Sequence, residues 1–443
     1  MLRKIRIAAA AFFFVLTTLL FLDFTGTLHA WFGWMAKIQF LPALLALNVG
    51  VVAFLVILTL LFGRVYCSVI CPLGVMQDIV SWASGKRRKH RNRFAYSPAL
   101  TWLRRGMLVA FVAAMLAGVG SLLAPYSAYG RIASNLLAPV YAWGNNLLAY
   151  IAGRMDSYAF YSVDVWMKSL STLLVAVVTF AVLFVLAWRS GRTYCNTICP
   201  VGTVLGFLAR YSLFKPRFDT SKCNGCKLCA RNCKASCIDP AAHKIDYSRC
   251  VACMDCLENC RQGAITYTLR RRKPDPAPAP QRPAADAAKT PSDASRRRFL
   301  GLAGIVAYSA LRAQEKKVDG GLAVIVDKKI PNRATPVVPP GAQSLRHFNA
   351  HCTGCQLCVS VCPNQVLRPS GKLMTLMQPE MSFERGYCRP ECTKCAEVCP
   401  TGAIRLTDLA GKSSIQIGHA VWIAENCEVN TDGVSCNNCA RHC

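Results

Sequence analysis

Cys223-Asn224-Gly225-Cys226-Lys227-Leu228-Cys229-Ala230-Arg231-Asn232-Cys233, followed shortly by Cys250-Val251-Ala252-Cys253-Met254-Asp255-Cys256-Leu257-Glu258-Asn259-Cys260, decides how the rest of this chain is read. Both runs have the spacing C-x-x-C-x-x-C-x-x-x-C. Three closely spaced thiolates wrap one corner of an iron–sulfur cube, and the fourth cysteine of each run reaches over to the other cube. On that rule Cys223, Cys226, Cys229 and Cys260 hold one [4Fe–4S] cluster, and Cys250, Cys253, Cys256 and Cys233 hold its partner. A zinc ribbon pairs two C-x-x-C units rather than two four-cysteine runs, and nothing here calls for a disulfide scaffold. The spacing implies single-electron chemistry.

Outward from this stretch, the totals set bounds. A chain of 443 residues suggests about two to four domains. The hydrophobic fraction of 53% is high for a soluble protein and is concentrated in the first half, which points to a membrane. Twenty-five cysteines at ligand spacing read as metal thiolates. The net charge of +29 raises nucleic acid as a partner, but its distribution argues against it. The densest basic run, Lys86-Arg87-Arg88-Lys89-His90-Arg91-Asn92-Arg93, lies between apolar stretches, where positive charge fixes membrane orientation. No recognition helix or aromatic platform accompanies it.

Four apolar stretches, Ile7–Phe24, Ile38–Phe62, Met107–Leu123 and Leu170–Trp188, each approach the length that crosses a ~30 Å hydrocarbon core as a helix. No small-residue cleavage site follows Leu22, so the first reads as an anchor rather than a signal peptide. Arg3, Lys4, Arg6, the Lys86–Arg93 run, Arg104 and Arg105 fall on one side. Lys37, Arg131, Arg154 and Lys168 fall on the other. The positive-inside rule then assigns the N-terminus, the middle loop and the residues after Trp188 to the cytoplasm. The partly apolar segment Leu136–Ile151 reads as an interfacial or re-entrant helix. At the inner ends of the second and fourth stretches a frame repeats: Gly63-Arg64-Val65-Tyr66-Cys67-Ser68-Val69-Ile70-Cys71-Pro72-Leu73-Gly74 matches Gly191-Arg192-Thr193-Tyr194-Cys195-Asn196-Thr197-Ile198-Cys199-Pro200-Val201-Gly202. Either Cys67, Cys71, Cys195 and Cys199 form a further redox or metal site, or Pro72 and Pro200 end helices while the cysteines pack as small apolar residues.

Beyond the first cysteine block, residues 273–294 form a Pro/Ala-rich linker. Ser295-Arg296-Arg297-Arg298-Phe299-Leu300 and the short apolar run after it, within 295–312, resemble a twin-arginine export signal. Residues 313–443 then read as an exported multi-cluster domain. By the same crossover rule Cys352, Cys355, Cys358 and Cys399 bind one cube, and Cys388, Cys392, Cys395 and Cys362 another, with one extra residue between Cys388 and Cys392. Cys427, Cys436, Cys439 and Cys443 end the chain; either this copy is truncated or they hold a single cluster. Gly263-Ala264-Ile265 and Gly402-Ala403-Ile404 read as short strands closing the two lobes.

These pieces resemble the NapH type of membrane ferredoxin, the C-x-x-x-C-P family, joined to a periplasmic ferredoxin of the NapG and MauM type. The expected architecture is multi-domain: a four-helix transmembrane domain (1–210) followed by α+β, bacterial-ferredoxin-like [4Fe–4S] modules. One of these, residues 211–272, is a cytoplasmic two-cluster domain, and residues 345–443 hold two or more clusters. The resemblance implies an inner-membrane quinol dehydrogenase that draws on the quinol pool and passes electrons to a periplasmic reductase or cytochrome. A maturation or regulatory protein supplying electrons for metal-centre assembly, of the copper-reductase or NosR type, is the alternative. Asp23 and His29, near the outer end of the first stretch, are the proton-handling candidates. A solvated interfacial carboxylate and a loop imidazole are the simpler reading of the two. No His pair lies on the apolar stretches and no C-x-x-C-H is present, so haem attachment is not expected.

Overall fold

The computed structural model describes residues 1–87, 94–118, 123–269, 335–372, 375–384, 386–417, 422, 424–431 and 433–442. The linker 273–294, the twin-arginine-like segment 295–312, the basic residues 88–93 and Cys443 lie outside the described residues. In chain order the helical half comprises α1 (Leu2–Leu22), α2 (Thr27–Phe32), α3 (Trp34–Lys37), α4 (Phe40–Leu45), α5 (Val49–Phe62), α6 (Val65–Val69) and α7 (Pro72–Arg87). It continues through α8 (Thr101–Leu116), α9 (Pro125–Ile132), α10 (Ala138–Arg154), α11 (Leu170–Ser190), α12 (Thr193–Thr197) and α13 (Pro200–Ala209).

Helices α1 and α11 are runs without Gly or Pro. Among the described residues they are the two long and apolar enough to cross a membrane, by length and composition. At ~1.5 Å per residue the 21 residues of α1 reach about 30 Å. The other two apolar stretches form shorter helices. Residues 38–62 divide because Leu47 takes a left-handed backbone (φ 53°), and Asn48 then caps α5 with its side chain on the Val51 N–H at 3.2 Å. The third stretch begins upstream of its sequence estimate, at Thr101, and its helix ends at Leu116. The segment read as interfacial or re-entrant is the regular helix α10, with Pro139 in its first turn.

The repeated frame is a helix–turn–helix punctuation. Gly63 (φ 74°) and Gly191 (φ 68°) end α5 and α11 in backbone that favours glycine. One short helix follows in each copy, α6 and α12. Pro72 and Pro200 then start α7 and α13, where the missing N–H costs nothing. A Cβ on Gly74 would lie 2.2 Å from the Cys67 carbonyl oxygen, and one on Gly202 2.2 Å from that of Cys195, so each turn closes only on glycine.

The first ferredoxin module follows directly from α13. Strand β1 (Phe214–Phe218) pairs antiparallel with β4 (Ile265–Leu269), in the register Phe214↔Leu269 to Phe218↔Ile265. Between them lie α14 (Leu228–Arg231), the two-residue hairpin β2 (Ile238–Asp239) and β3 (Lys244–Ile245), and α15 (Asp255–Asn259). The module has its own core around Ala230, Ile238, Ile245 and Val251. In the second module β5 (Leu367–Pro369) pairs with β6 (Pro379–Met381). Gly402-Ala403-Ile404 forms no strand there, in contrast to the sequence reading. Its neighbour is the Pro339-Pro340-Gly341 segment, whose prolines donate no N–H, and a single Arg405 N–H to Gly341 O bond of 3.0 Å remains. Phe348, Leu357 and Val359 of this module share one continuous core with Phe21, Tyr126 and Tyr129 of the helical half.

The two modules dock at opposite ends of α1. Arg3 pairs with Asp255 (2.9 Å) and Glu258 of the first module. Just past the other end, Lys394 of the second module donates to the Thr25 carbonyl oxygen at 3.1 Å.

Candidate metal centres

The cysteine loops of the first module are shaped by backbone strain at fixed places. Lys227 (φ 58°) and Met254 (φ 62°), each following the second cysteine of its run, adopt left-handed conformations that turn the chain into α14 and α15. Gln356 (φ 65°) does the same in the second module. Such strain in non-glycine residues persists where the surroundings enforce it. The fourth run differs: Thr393, after Cys392, has φ −112°, and here the spacing carries its extra residue.

Cys223, Cys226, Cys229 and Cys260 line one pocket, partly open to solvent. A second is lined by Cys233, Cys250, Cys253 and Cys256, and also by Cys237, which lies outside both runs. In the second module Cys352, Cys355, Cys358 and Cys399 are mutual electrostatic neighbours. So are Cys362, Cys388, Cys392 and Cys395. Cys427 is half-buried and Cys436 and Cys439 are exposed. Among the described residues no trio of His, Cys, Asp or Glu closes tightly enough to hold a single metal ion.

Burial pushes these thiols up: Cys229 to about 11, Cys355 and Cys395 to about 12, and Cys256 and Cys358 well above the ordinary value. A buried thiol resists becoming a thiolate unless a positive centre replaces its proton, which iron does.

The repeated frame brings its own four cysteines together. Cys67, Cys71, Cys195 and Cys199 are all buried, and Cys199 is an electrostatic neighbour of the other three. Two fully buried arginines cross between the copies. Arg64 donates to Asn196 Oδ1 (2.8 Å) and the Cys195 carbonyl oxygen (3.1 Å). Arg192 donates to the Cys67 carbonyl oxygen at 2.7 Å and pairs with Asp78 at 2.7 Å. Gln77 Nε2 approaches Cys195 Sγ at 3.3 Å, and the Gly202 N–H donates to Cys199 Sγ at 3.3 Å.

Side chains around these cysteines reach toward both modules. Arg64 donates to Ser248 O of the first module at 3.2 Å and acts electrostatically on Cys250. On the other side Tyr194 neighbours Cys199, Cys195, Cys71 and Arg131, and Arg131 in turn neighbours Cys355. Sequence reasoning had no local signal for this adjacency.

Asp23 and His29 form a buried pair, Oδ2 to Nδ1 3.2 Å, with side chains 3% and 6% exposed. Asp23 also accepts from the Gly26 and Leu28 N–H groups and the Thr25 hydroxyl. Burial pushes its carboxyl up, but His29, Thr25 and Gly26 outweigh that and hold it well below the usual carboxylate range. His29 Nε2 is buried with no hydrogen-bond partner among the described residues.

Comparison with known proteins fits this geometry. A "4Fe-4S binding domain" model matches residues 44–90 and 172–221, which contain the two copies of the frame. A "4Fe-4S dicluster domain" model matches residues 351–403. An uncharacterized protein of Methanocaldococcus jannaschii is 25% identical over 214 residues, 48% of this chain and 68% of its own. The ferredoxin-type protein MauM of Methylophilus methylotrophus is 32% identical over 131 residues, 27% of this chain and 54% of its own. The electron transport protein YccM of Escherichia coli, itself named as putative, is 28% identical over 184 residues, 41% of this chain and 44% of its own. The chain thus spans about half the length of the MauM and YccM relatives. No solved structure matches it. The chain carries multiple [4Fe–4S] clusters and is a ferredoxin-type electron-transfer protein.

Proposed function

We propose that this chain is a membrane quinol dehydrogenase, a NapH-like unit joined to a NapG- or MauM-like one, that passes electrons from the quinol pool to a reductase or cytochrome outside the inner membrane. The observation that carries the reading is the docking of two cysteine-rich modules at opposite ends of one apolar helix of about 30 Å, with four buried cysteines between them. Tunnelling falls off exponentially with distance, so a centre between the modules is what makes the crossing feasible. The apolar residues Phe12, Val15, Phe54, Ile57, Val109, Val112, Val178 and Val182 are exposed on α1, α5, α8 and α11, which suits a lipid-facing surface. In this reading four segments cross, α1 and α11 as single helices and the shorter α5 and α8 together with the residues that flank them, with the first module cytoplasmic and the second periplasmic.

Bound [4Fe–4S] clusters supply one-electron carriage. The chain's residues do the rest. Cys223, Cys226, Cys229 and Cys260 hold the outer centre of the first module, and Cys233, Cys250, Cys253 and Cys256 the inner one. Cys352, Cys355, Cys358 and Cys399, then Cys362, Cys388, Cys392 and Cys395, hold those of the second. Cys67, Cys71, Cys195 and Cys199 hold the intermediate centre, and Arg64 and Arg192 offset its negative charge. Quinol oxidation releases two protons with two electrons. His29 Nε2 takes one proton, with Asp23 stabilising the imidazolium. Water takes the other. Lys394 of the second module reaches the loop that holds this pair, donating to the Thr25 carbonyl oxygen at 3.1 Å.

Stopped-flow mixing of the anaerobic, detergent-purified protein with reduced menaquinol or ubiquinol tests the proposal. Bleaching of the cluster absorbance within the mixing experiment supports it. Clusters that stay oxidised with both quinols, while dithionite reduces them, overturn it in favour of an assembly role.

A further inference from the structure

Four thiolates complete a [4Fe–4S] cube, yet five cysteines line the inner cavity of the first module. The fifth is Cys237, four residues beyond the end of its run at Cys233. The equivalent places after Cys260, Cys362 and Cys399 hold Ala264, Val366 and Ala403, all buried. A small apolar side chain therefore satisfies the packing at this point of a ferredoxin lobe. At 237 the same place holds a thiol, 1% exposed.

This thiol is aimed at its neighbours. Cys237 Sγ lies 3.5 Å from Cys233 Sγ and hydrogen-bonds with Cys250 as well. The backbone pins it there. The Ser236 N–H donates to the Cys233 carbonyl oxygen at 2.9 Å, closing a tight turn through a left-handed Ser236 (φ 48°). The Asp246 N–H donates to the Cys237 carbonyl oxygen at 2.8 Å, and β2 begins at the next residue. Two sulfurs are thus presented to one corner of the cavity.

We propose that Cys237 is an interchangeable ligand of the inner cluster, taking over the iron that Cys233 holds. The inference rests on reading this cavity as a cluster site. In the exchange one Fe–Sγ bond to Cys233 breaks as one Fe–Sγ bond to Cys237 forms, and the Cys237 thiol proton passes to the Cys233 sulfur. Charge and oxidation state are unchanged, so no oxidant or reductant is required. The inner centre, the one nearest Arg64 and the intermediate cysteines, gains a reserve ligand that the other lobes lack.

Iron and acid-labile sulfide analysis with EPR of the full chain, purified without oxygen, tests this. Cys233→Ala and Cys237→Ala should each retain the wild-type iron content, and the double variant should lose one cluster's iron. Loss in Cys233→Ala equal to that of the double variant would overturn the exchange. A wild-type protein lacking iron would instead overturn the cluster reading. If Cys233→Ala does not accumulate, Cys237→Val, which copies Val366, decides. It should hold full iron at rest but release it to a chelator under ferricyanide several-fold faster than wild type, and equal rates would overturn the proposal.

Discussion

Replacing Asp78 by Asn should detach the first module from the helical bundle without emptying it. Asp78 on α7 is the shared counter-ion of three cations: Arg192 at 2.7 Å, Lys234 at 3.1 Å and Arg6 at 3.0 Å. Lys234 belongs to the first module, Arg192 to the repeated frame and Arg6 to α1, so one carboxylate ties three parts together. The side chains are 0% to 11% exposed. Removing one partner from such a buried group costs about 3–5 kcal/mol, because Arg192 and Arg6 then stay buried without a carboxylate, while Lys234 keeps Asp255 at 3.0 Å. That is roughly a hundredfold or more in the docking equilibrium. Burial pushes the Asp78 carboxyl up, but Arg192, Lys234 and Arg6 outweigh it and hold it far below the usual range. A depressed carboxylate contributes stability above its unfolded value of ~3.9, lost only as pH falls through the folded value. The tie is therefore at full strength at neutral pH and insensitive to pH down to the acid range. Thermal scans following cluster absorbance, with limited proteolysis within residues 211–269, provide the assay. Asp78→Asn should melt the module earlier and expose it to protease, with wild-type iron at low temperature. Glu258→Gln, at the half-exposed Arg3 contact, is the control, since exposed pairs contribute about 0–1 kcal/mol. Equal behaviour of the two variants would refute the reasoning.

Gly202→Ala should destabilise the repeated frame by about 1–3 kcal/mol, since its Cβ meets both the Cys195 carbonyl oxygen and Arg64 Nη2 at 2.8 Å. Gly106→Ala, with nothing within 4 Å, should be tolerated in the same thermal scan. His29→Ala should slow quinol-driven reduction by about 10²-fold or more while leaving dithionite reduction unchanged. An equal loss with both donors would assign His29 a structural role. Arg64→Lys should weaken docking of the first module, because an ammonium cannot reach Asn196 Oδ1, Ser248 O and Cys195 O together. Proteolysis of the module reads this directly, and wild-type protection would contradict it.

The cluster chemistry was legible because ligand spacing is a local property: four cysteines within a dozen residues have few other geometries open to them. The repeated frame was legible for the same reason, and each of its Gly and Pro positions has a backbone role. The convergence of Cys67 and Cys71 with Cys195 and Cys199 was not, since it depends on Arg64 and Arg192 crossing between distant segments. Asp78 and Lys234 carry no motif; only the fold makes them a pair. Cys237 falls outside the spacing template, and only its mismatch with Ala264 and Val366 at the equivalent places marks it in the sequence. The break at Leu47 and the missing strand at Ile404 are cases where one left-handed residue and two prolines overrode an apolar pattern.

The central claim, that electrons cross between the modules by way of the four buried cysteines, is tested most directly in sealed proteoliposomes. A membrane-impermeant low-potential donor is added on one side, and the clusters of the far module are followed by freeze-quench EPR. Wild type should reduce both modules, whereas the variant with Cys67, Cys71, Cys195 and Cys199 all changed to Ser should reduce only the near one. Equally fast reduction of the far module in that variant would contradict the account.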